Sequence, residues 1–317
     1  MAESADRTKI PYKAVLKTQK KWERPGDPDS WRREYDLYRS NIATVFSDSF
    51  RWPECYHAEV NNDEIQLWLE YIDGKSGDNL TTEMLEMAAL ELGRFQGKTH
   101  KQPEPLQNLG CFGDTGYLKR DYTQWHSGSY TYEFCCSDEF RVPEHVKQMI
   151  IRNPWDNDKT LEYNYLRFDE CTIPEHLKQM IFNIDDHMNG VFQEIESLPV
   201  ILCHRDFWIE NILYLDGKIR LIDWDTAGWG YMGEDIASLI ADNDDYTNFE
   251  ECCRRLIPSY LKGIAEYMDV SSVHNGYIHE MILIKFGYRL VQTHMFTTSD
   301  EVKERQLKML QKIFDMG

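Results

Sequence analysis

Positive charge is scarce in this chain: 35 Lys and Arg stand against 54 Asp and Glu, a formal charge of −19 over 317 residues. A field of that sign repels phosphate backbones, so no nucleic-acid partner is expected, whereas a cationic ligand is drawn in. No apolar run approaches the ~18 residues of a membrane span. The opening stretch, Met1 to Ile10, is charged and polar, without the apolar core of a signal peptide. The expectation is a soluble, cytoplasmic protein with no membrane partner. Cys-x-x-Cys is missing too: none of the eight cysteines are three apart, which removes the usual metal and redox pairs. The doublets Cys135-Cys136 and Cys252-Cys253 read as reduced thiols rather than a disulfide framework. Glycine does not occur before Gly26. Asn79-Leu80-Thr81 fits a glycosylation triplet, but with no secretory signal it reads as chance. What remains, 42% hydrophobic and 28% charged residues, is the composition of a chain with a core, in two lobes or one large domain.

The pattern along the chain begins with a strand from Tyr12 to Thr18 that holds Lys17, followed by a Pro/Gly/Asp loop from Arg24 to Ser30. Trp31, Tyr35 and Tyr38 recur at helical spacing, which predicts a helix from Trp31 to about Ile42 with Ser30 as its N-cap. Ile65 to Ile72 is a second strand, halted by Asp73-Gly74, and a helix follows from about Thr82 to Lys98. The switch from strands to helices near Gly74 sets a boundary between a lobe of residues 1–73 and one of residues 74–317. Residues 103–197 are aromatic, acidic and weakly patterned. They contain an echo 31 residues apart, in which Val142-Pro-Glu-His-Val-Lys-Gln-Met-Ile150 returns as Ile173-Pro-Glu-His-Leu-Lys-Gln-Met-Ile181. Pro at a first helical position followed by Glu predicts a helix start in each copy. The last helix is expected to open at a capping box, Thr298-Ser-Asp-Glu301, and to turn Val302, Leu307, Leu310, Ile313 and Phe314 toward the core.

One segment carries chemistry. Ile212 to Leu215 and Lys218 to Ile222 are β-prone runs joined by Asp216-Gly217, a dipeptide favoured in two-residue type I′ hairpins. That register sets Asn211 opposite Ile222, so Asn211 and Asp223 meet at the open end of the hairpin. An amide oxygen beside a carboxylate is a pair of hard oxygen ligands suited to a Mg²⁺ ion that also binds phosphates. Asp206, five residues before Asn211, faces whatever such a metal holds. A hairpin flanked by Asp and Asn is common by itself. The combination His204-Arg205-Asp206 with Asn211 five residues on and Asp223 across a hairpin is specific to kinase-type phosphoryl transfer.

On these residues the chain resembles the aminoglycoside phosphotransferase and choline kinase group, small-molecule kinases that share the protein-kinase fold. The resemblance covers most of the chain, is strongest from Cys203 to Asp242, and is weak in residues 103–197. It implies an α+β, bilobal protein-kinase-like fold with a small, apparently shortened β-rich N-lobe and a large helical C-lobe. It implies ATP as donor and Mg²⁺ as cofactor. It gives Asp206 the task of orienting and deprotonating a substrate hydroxyl, and Asn211 and Asp223 that of holding the metal. Ala227 to Ala237 is similar to the family's Gly-Asp-Pro-x-x-Asp-Leu-Ala run, with Asp235 as the buried aspartate and His204 as a further support of the catalytic loop, residues 203–225; Tyr231-Met232 replaces Asp-Pro. Lys17 is similar to the nucleotide-binding lysine and Glu34 to its helical partner, although a lysine on a strand is by itself equally an exposed one. Glu70, Tyr71 and Ile72 correspond to the hinge that binds adenine.

Two strands of ~5 residues and a tight turn need at least ~12 residues, and only eleven precede Tyr12. The glycine-bearing hairpin that covers phosphates in the family is therefore expected to be missing, through truncation or a different way of covering the nucleotide. Asp223-Trp224-Asp225 is not Asp-Phe-Gly, Ala-Pro-Glu is absent, and Asp235 follows Trp224 by eleven residues, too few for a peptide-docking segment. The acceptor is then the hydroxyl of a small molecule bound between the catalytic loop and residues 103–197. The carboxylates Asp242, Asp244, Asp245, Glu250 and Glu251 suit a polycationic aminoglycoside, the first expectation, or simply a solvated helix terminus. Trp208, Trp229 and Tyr231 could instead line a cation–π box for a choline- or ethanolamine-type substrate, or merely pack. A non-catalytic binding protein on the same fold is the reading from another class. Oligomeric state is not legible.

Overall fold

The computed structural model describes residues 2–3, 9–10, 12–22, 24, 26–106, 109–127, 141–142, 144, 171–242, 246–271 and 276–316. Two compact units result, neither continuous in sequence. Unit 1 comprises Met1–Gly113, Leu202–Trp229 and Pro258–Val270; unit 2 comprises Asp114–Ile201, Gly230–Ile257 and Ser271–Gly317. The boundary expected at residues 73 and 74 falls inside unit 1.

Unit 1 is built on a three-stranded antiparallel sheet of β3 (Ala14–Lys20), β6 (Glu64–Glu70) and β5 (Cys55–Asn61), in that spatial order. Alternation in β6 buries Ile65, Leu67 and Leu69 on one face, where Trp31 of helix α1 (Ser30–Tyr38) packs on them. The register sets Lys17 opposite Leu67, on that same covered face, so the lysine is aimed toward α1 rather than to solvent. The helix begins at Ser30 itself, with Asp29 at the cap position, and ends at Tyr38; Ile42–Val45 form a separate 3₁₀ turn. Ser30 is thus inside the helix and fully buried, not its N-cap.

Two further strands occur earlier. Ala2–Glu3 (β1) and Lys9–Ile10 (β2) pair antiparallel, Ala2 with Ile10, in a sheet of their own. A ribbon does precede β3, then, with strands of two residues where the length reckoning assumed five. It carries no glycine.

The β8–β9 hairpin (Ile212–Leu215, Lys218–Leu221) has the anticipated register, with Ile212 opposite Leu221 and Leu215 opposite Lys218. Asp216 and Gly217 both have positive φ, 50° and 75°, the backbone that a type I′ turn demands. Its flanks are held on both sides. β4 (Phe50–Arg51) runs parallel to β9, and Lys75 exchanges backbone hydrogen bonds of 2.9 and 2.8 Å with Tyr214. Helix α2 (Thr82–Lys101) crosses the segment Pro258–Ala265 at two glycines: a Cβ on Gly93 would strike the Tyr260 carbonyl, and one on Gly263 the Leu90 carbonyl. From α2, buried Gln96 accepts from Tyr260 Oη (2.7 Å) and donates to the Leu202 carbonyl (3.3 Å). The strand entering the catalytic loop, β7 (Val200–Cys203), is thereby pinned.

Unit 2 is helical: α3 (Tyr117–Ser127), α4 (Glu175–Glu196), α5 (Glu234–Ala241), the start of α6 (Phe249–Ala265), α7 (Tyr277–Phe296) and α8 (Asp300–Asp315). Pro174 is the cap residue of α4 rather than its first helical residue. The earlier copy of the echo lies largely outside the described residues. In α8 the cap is Ser299, whose Oγ accepts from Val302 N at 3.3 Å. The capping box expected from Thr298 is therefore displaced by one residue. Leu310, Ile313 and Phe314 are buried as expected, joined by Gln306 and Met309, whereas Val302 and Leu307 are only half-buried. Among the described residues no helix is long and apolar enough to cross a membrane.

Candidate active site

Three of the predicted side chains converge within unit 1. Lys17 Nζ lies 2.5 Å from Glu34 Oε2 and 2.6 Å from Asp223 Oδ1. The β3 register aims Lys17 inward, α1 presents Glu34 from a position 1% exposed, and the open end of the hairpin presents Asp223. Burial opposes the charge on Lys17, but the two carboxylates outweigh it and raise the ammonium pKa. Glu34 is pushed up by burial, with Lys17 pulling the other way. Asp223 itself is left-handed, at φ 65°, a costly conformation for a non-glycine residue that the surroundings must hold.

They hold it through Trp224. That ring is fully buried among Phe46, Trp52 and Phe95, donates from Nε1 to the Leu221 carbonyl (2.9 Å), and meets the His204 ring edge-on at 4.7 Å. His204 donates from Nε2 to the Ile222 carbonyl at 2.9 Å, and its own carbonyl accepts from Thr226 Oγ1. Burial lowers its pKa to about 4, against a weaker upward pull from Asp223. It is therefore a neutral strut between the two arms of the loop.

Asn211 Nδ2 donates to both the backbone carbonyl and the carboxylate Oδ2 of Asp206, at 2.9 and 2.8 Å. This orients the amide so that its nitrogen is spent on Asp206 and its oxygen, the end able to ligate a cation, remains. Two carboxylates, Glu34 and Asp223, meet one ammonium, Lys17, and a third, Asp206, is held by Asn211. That excess of negative charge fits a divalent cation. No group of three or more His, Cys, Asp or Glu poised to hold a metal occurs among the described residues. Asn211 and Asp223 are the residues that could contribute oxygens to such an ion, with phosphate oxygens completing its shell.

The hinge candidates lie at the end of β6. The Glu70 carboxylate is engaged by Arg51 (2.8 and 3.2 Å) and by Glu54 N (3.0 Å); burial would raise its pKa, but these donors lower it. Tyr71 is exposed under Lys13, and Ile72 lies beyond the strand. Trp208 is half-buried before Ile209, and half-buried Trp229 stacks edge-on against Phe112 at 5.8 Å. In unit 2, Asp235 is buried, Asp242 pairs with Arg289 (2.9 Å), Glu250 with Lys312 and Glu251 with Arg254 (both 2.5 Å). Three of the carboxylates proposed for an amine are thus already matched by cations of this chain. Asp244 and Asp245 lie outside the described residues.

Sequence reasoning missed Arg33 and Asp225. Arg33 is 3% exposed and donates to Asp27 Oδ1, the Cys111 carbonyl and the Asp225 carbonyl (2.5, 2.5 and 2.6 Å). Asp225 is raised by burial and by the charge of Asp223, with Arg24 3.7 Å away. The available signal was position: an arginine preceding the glutamate on α1, and a second aspartate after Trp224.

The profile of a phosphotransferase enzyme family matches residues 24–263. Ethanolamine kinase 1 of Mus musculus is 26% identical over 124 residues, 36% of this chain and 34% of that protein; its Homo sapiens counterpart is 24% identical over 107 residues, 31% and 24%. The chain thus aligns with about a third or less of the length of these relatives. Solved structures cover more of it. A microcompartment-associated aminopropanol kinase matches with TM-score 0.54 and 14% identity over 95% of this chain and 83% of that one. An aminoglycoside phosphotransferase of Alicyclobacillus acidocaldarius gives 0.52 and 14% over 95% and 84%, and choline kinase of Cryptosporidium parvum 0.51 and 16% over 89% and 78%. At these identities the likeness is one of fold, the α+β protein-kinase-like fold expected from the motif. With three quarters of its length under the family profile, the chain belongs to the phosphotransferase enzyme family.

Proposed function

We propose that the protein transfers the terminal phosphoryl group of ATP, with Mg²⁺, to a hydroxyl of a small amine-bearing molecule. The observation that carries this reading is the meeting of Lys17, Glu34 and Asp223 within 2.6 Å of one ammonium, beside an Asn211–Asp206 pair. Asp206, whose carboxylate is oriented by the Asn211 amide, is the acceptor for the proton of an incoming hydroxyl. Lys17, fixed by Glu34, neutralises phosphate oxygens. Asn211 Oδ1 and Asp223 would hold Mg²⁺, which when bound offsets the negative charge of the phosphates. The backbone after Glu70 is the adenine-binding edge.

For the acceptor, an amino alcohol of the ethanolamine or aminopropanol type ranks first. The curated relatives that match in sequence are ethanolamine kinases, and an aminopropanol kinase shares the fold. An aminoglycoside, first on sequence alone, becomes the second reading, supported by the aminoglycoside phosphotransferase of like fold. The test is phosphoryl transfer from radiolabelled ATP to ethanolamine, 1-amino-2-propanol, choline, kanamycin and spectinomycin. Transfer to an amino alcohol with Mg²⁺ is expected. No transfer to any acceptor, together with no thermal stabilisation by Mg·ATP, would defeat the reading in favour of a non-catalytic binding protein.

A further inference from the structure

Two buried arginines do work that the reaction as described does not mention. Arg205, between His204 and Asp206, is 4% exposed and left-handed at φ 71°. Its Nη2 donates to the Trp229 carbonyl at 2.6 Å. The guanidinium lies where two glycines leave room: a Cβ on either Gly113 or Gly228 would fall within clashing distance of Nη1. Those glycines are themselves bridged, Gly113 N to the Ala227 carbonyl at 3.2 Å and Trp229 N to the Gly113 carbonyl at 2.9 Å. Arg33 reaches the same two segments from the other side, donating to the carbonyls of Cys111 and Asp225. It sits next to Glu34 on α1.

We infer that Arg33 and Arg205 form a clasp of positioning residues that fixes the segment after Asp223 to Cys111–Gly113, and so sets Glu34, Asp206 and Asp223 in one frame. The physical reason is the donor geometry. A guanidinium is planar and offers several N–H groups in fixed directions, so buried Arg33 holds carbonyls of both segments at once, as an ammonium could not, while Arg205 donates to the Trp229 carbonyl and packs its Nη1 against Gly113 and Gly228. Each clasp residue is also adjacent to a site residue: Arg33 precedes Glu34, and Arg205 precedes Asp206. A shift of either guanidinium therefore moves a group of the site. The positive φ at Arg205 is cost held in place by this packing.

The mechanical part stands without any assigned activity; the catalytic part rests on the reading of Asp206 and Asp223 given above. In Arg33→Lys and Arg205→Lys, amide hydrogen exchange of the ligand-free protein should rise about tenfold or more in 111–113 and in 225–229 together. A rise confined to the segment nearest the substitution would overturn the clasp. Gly113→Ala keeps both arginines and should give the same paired rise, because its methyl meets the Arg205 guanidinium. Added to Arg205→Ala it should give nothing more, and additive exchange would count against the cradle. In turnover, both lysine variants should lose about 10–100-fold in kcat and need more Mg²⁺ for half-activation, with KM for ATP nearly unchanged. Unchanged kcat and Mg²⁺ response in variants with paired exchange would remove the positioning role. A wild-type protein without phosphoryl transfer would defeat the proposed function and leave the clasp to the exchange result.

Discussion

Lys17 in unit 1 and Lys285 in unit 2 are both drawn out of water, and they are treated differently. Lys17 in unit 1 keeps 28% of its side chain exposed and faces two carboxylates. Lys285, on α7 in unit 2, is 7% exposed and is met by Ser238 Oγ at 2.5 Å and the Glu234 carbonyl at 3.3 Å. The first arrangement concentrates charge at a surface that anions and cations can reach, which suits exchange of partners with a nucleotide. The second surrounds an ammonium with neutral acceptors from α5 and ties that helix to α7. Unit 2 repeats the habit at Asp185, which receives the hydroxyls of Tyr122 (2.7 Å) and Tyr288 and so joins α4 to α3 and α7. Buried polarity fastens unit 2; in unit 1 it fastens too, through Gln96 and Arg33, but at Lys17 and Asp223 it is left partly open.

The strongest test of that contrast is Asp206→Asn. Turnover should fall about 10³–10⁴-fold while thermal stabilisation by Mg·ATP persists; loss of nucleotide binding with preserved turnover would reverse the role given to Asp206. Next in size is the lysine pair. Lys17→Met should lower kcat/KM about 10²–10³-fold and cost ~1–3 kcal/mol, since buried Glu34 loses its partner. Lys285→Met should cost a similar ~1–3 kcal/mol in denaturant unfolding, with the kcat of the folded protein unchanged. Equal kinetic damage from both substitutions would break the distinction between a reactive lysine and a fastening one.

His204 sharpens it through pH. Its pKa is about 4 in the folded protein against 6.5 for the free side chain. Below pH 6.5 the unfolded chain takes up a proton that the folded chain refuses. The stabilisation is complete above pH 6.5 and is lost as pH falls toward 4. At ~1.4 kcal/mol per pK unit the loss is at most about 3.5 kcal/mol. His204→Gln, which keeps a donor toward the Ile222 carbonyl without titrating, should flatten the unfolding free energy between pH 6.5 and 4. An unchanged slope would place the titration elsewhere.

Much of unit 1 was legible because its constraints are local. Asp216-Gly217 dictates a turn, the turn dictates a register, and the register sets Asn211 opposite Ile222, the residue before Asp223. The alternation Ile65, Leu67, Leu69 likewise declares a strand with one covered face. Arg33 could not be read in this way. A charged residue on α1 looks solvated until the chain has folded Cys111 and Asp225 onto it, contacts 78 and 192 residues distant. The fate of Asp242 and Glu250 was hidden for the same reason: Arg289 and Lys312 are brought to them by helix packing, whereas Glu251 meets Arg254 three residues on in its own helix, a pair that spacing alone offers. Short strands such as β1 and β2 escaped because the length argument assumed average strands.

The smallest effect asks where α8 begins, and so whether unit 2 can be loosened without touching the chemistry of unit 1. Sequence spacing nominated Thr298 as the cap, with Glu301 reaching back. Geometry gives the task to Ser299, which accepts from Val302 N at 3.3 Å, while Ser299 N donates to Thr297 Oγ1 at 3.3 Å. A cap hydroxyl satisfies one of the amide donors that a helix start leaves open. Ser299→Ala should therefore cost ~0.5–1 kcal/mol in denaturant unfolding, and Thr298→Ala less. Both variants should keep wild-type kcat, since neither residue belongs to unit 1. The reverse order of the two stabilities would restore the capping box at Thr298; a fall in kcat with either would mean that fastening and chemistry are not separable between the two units.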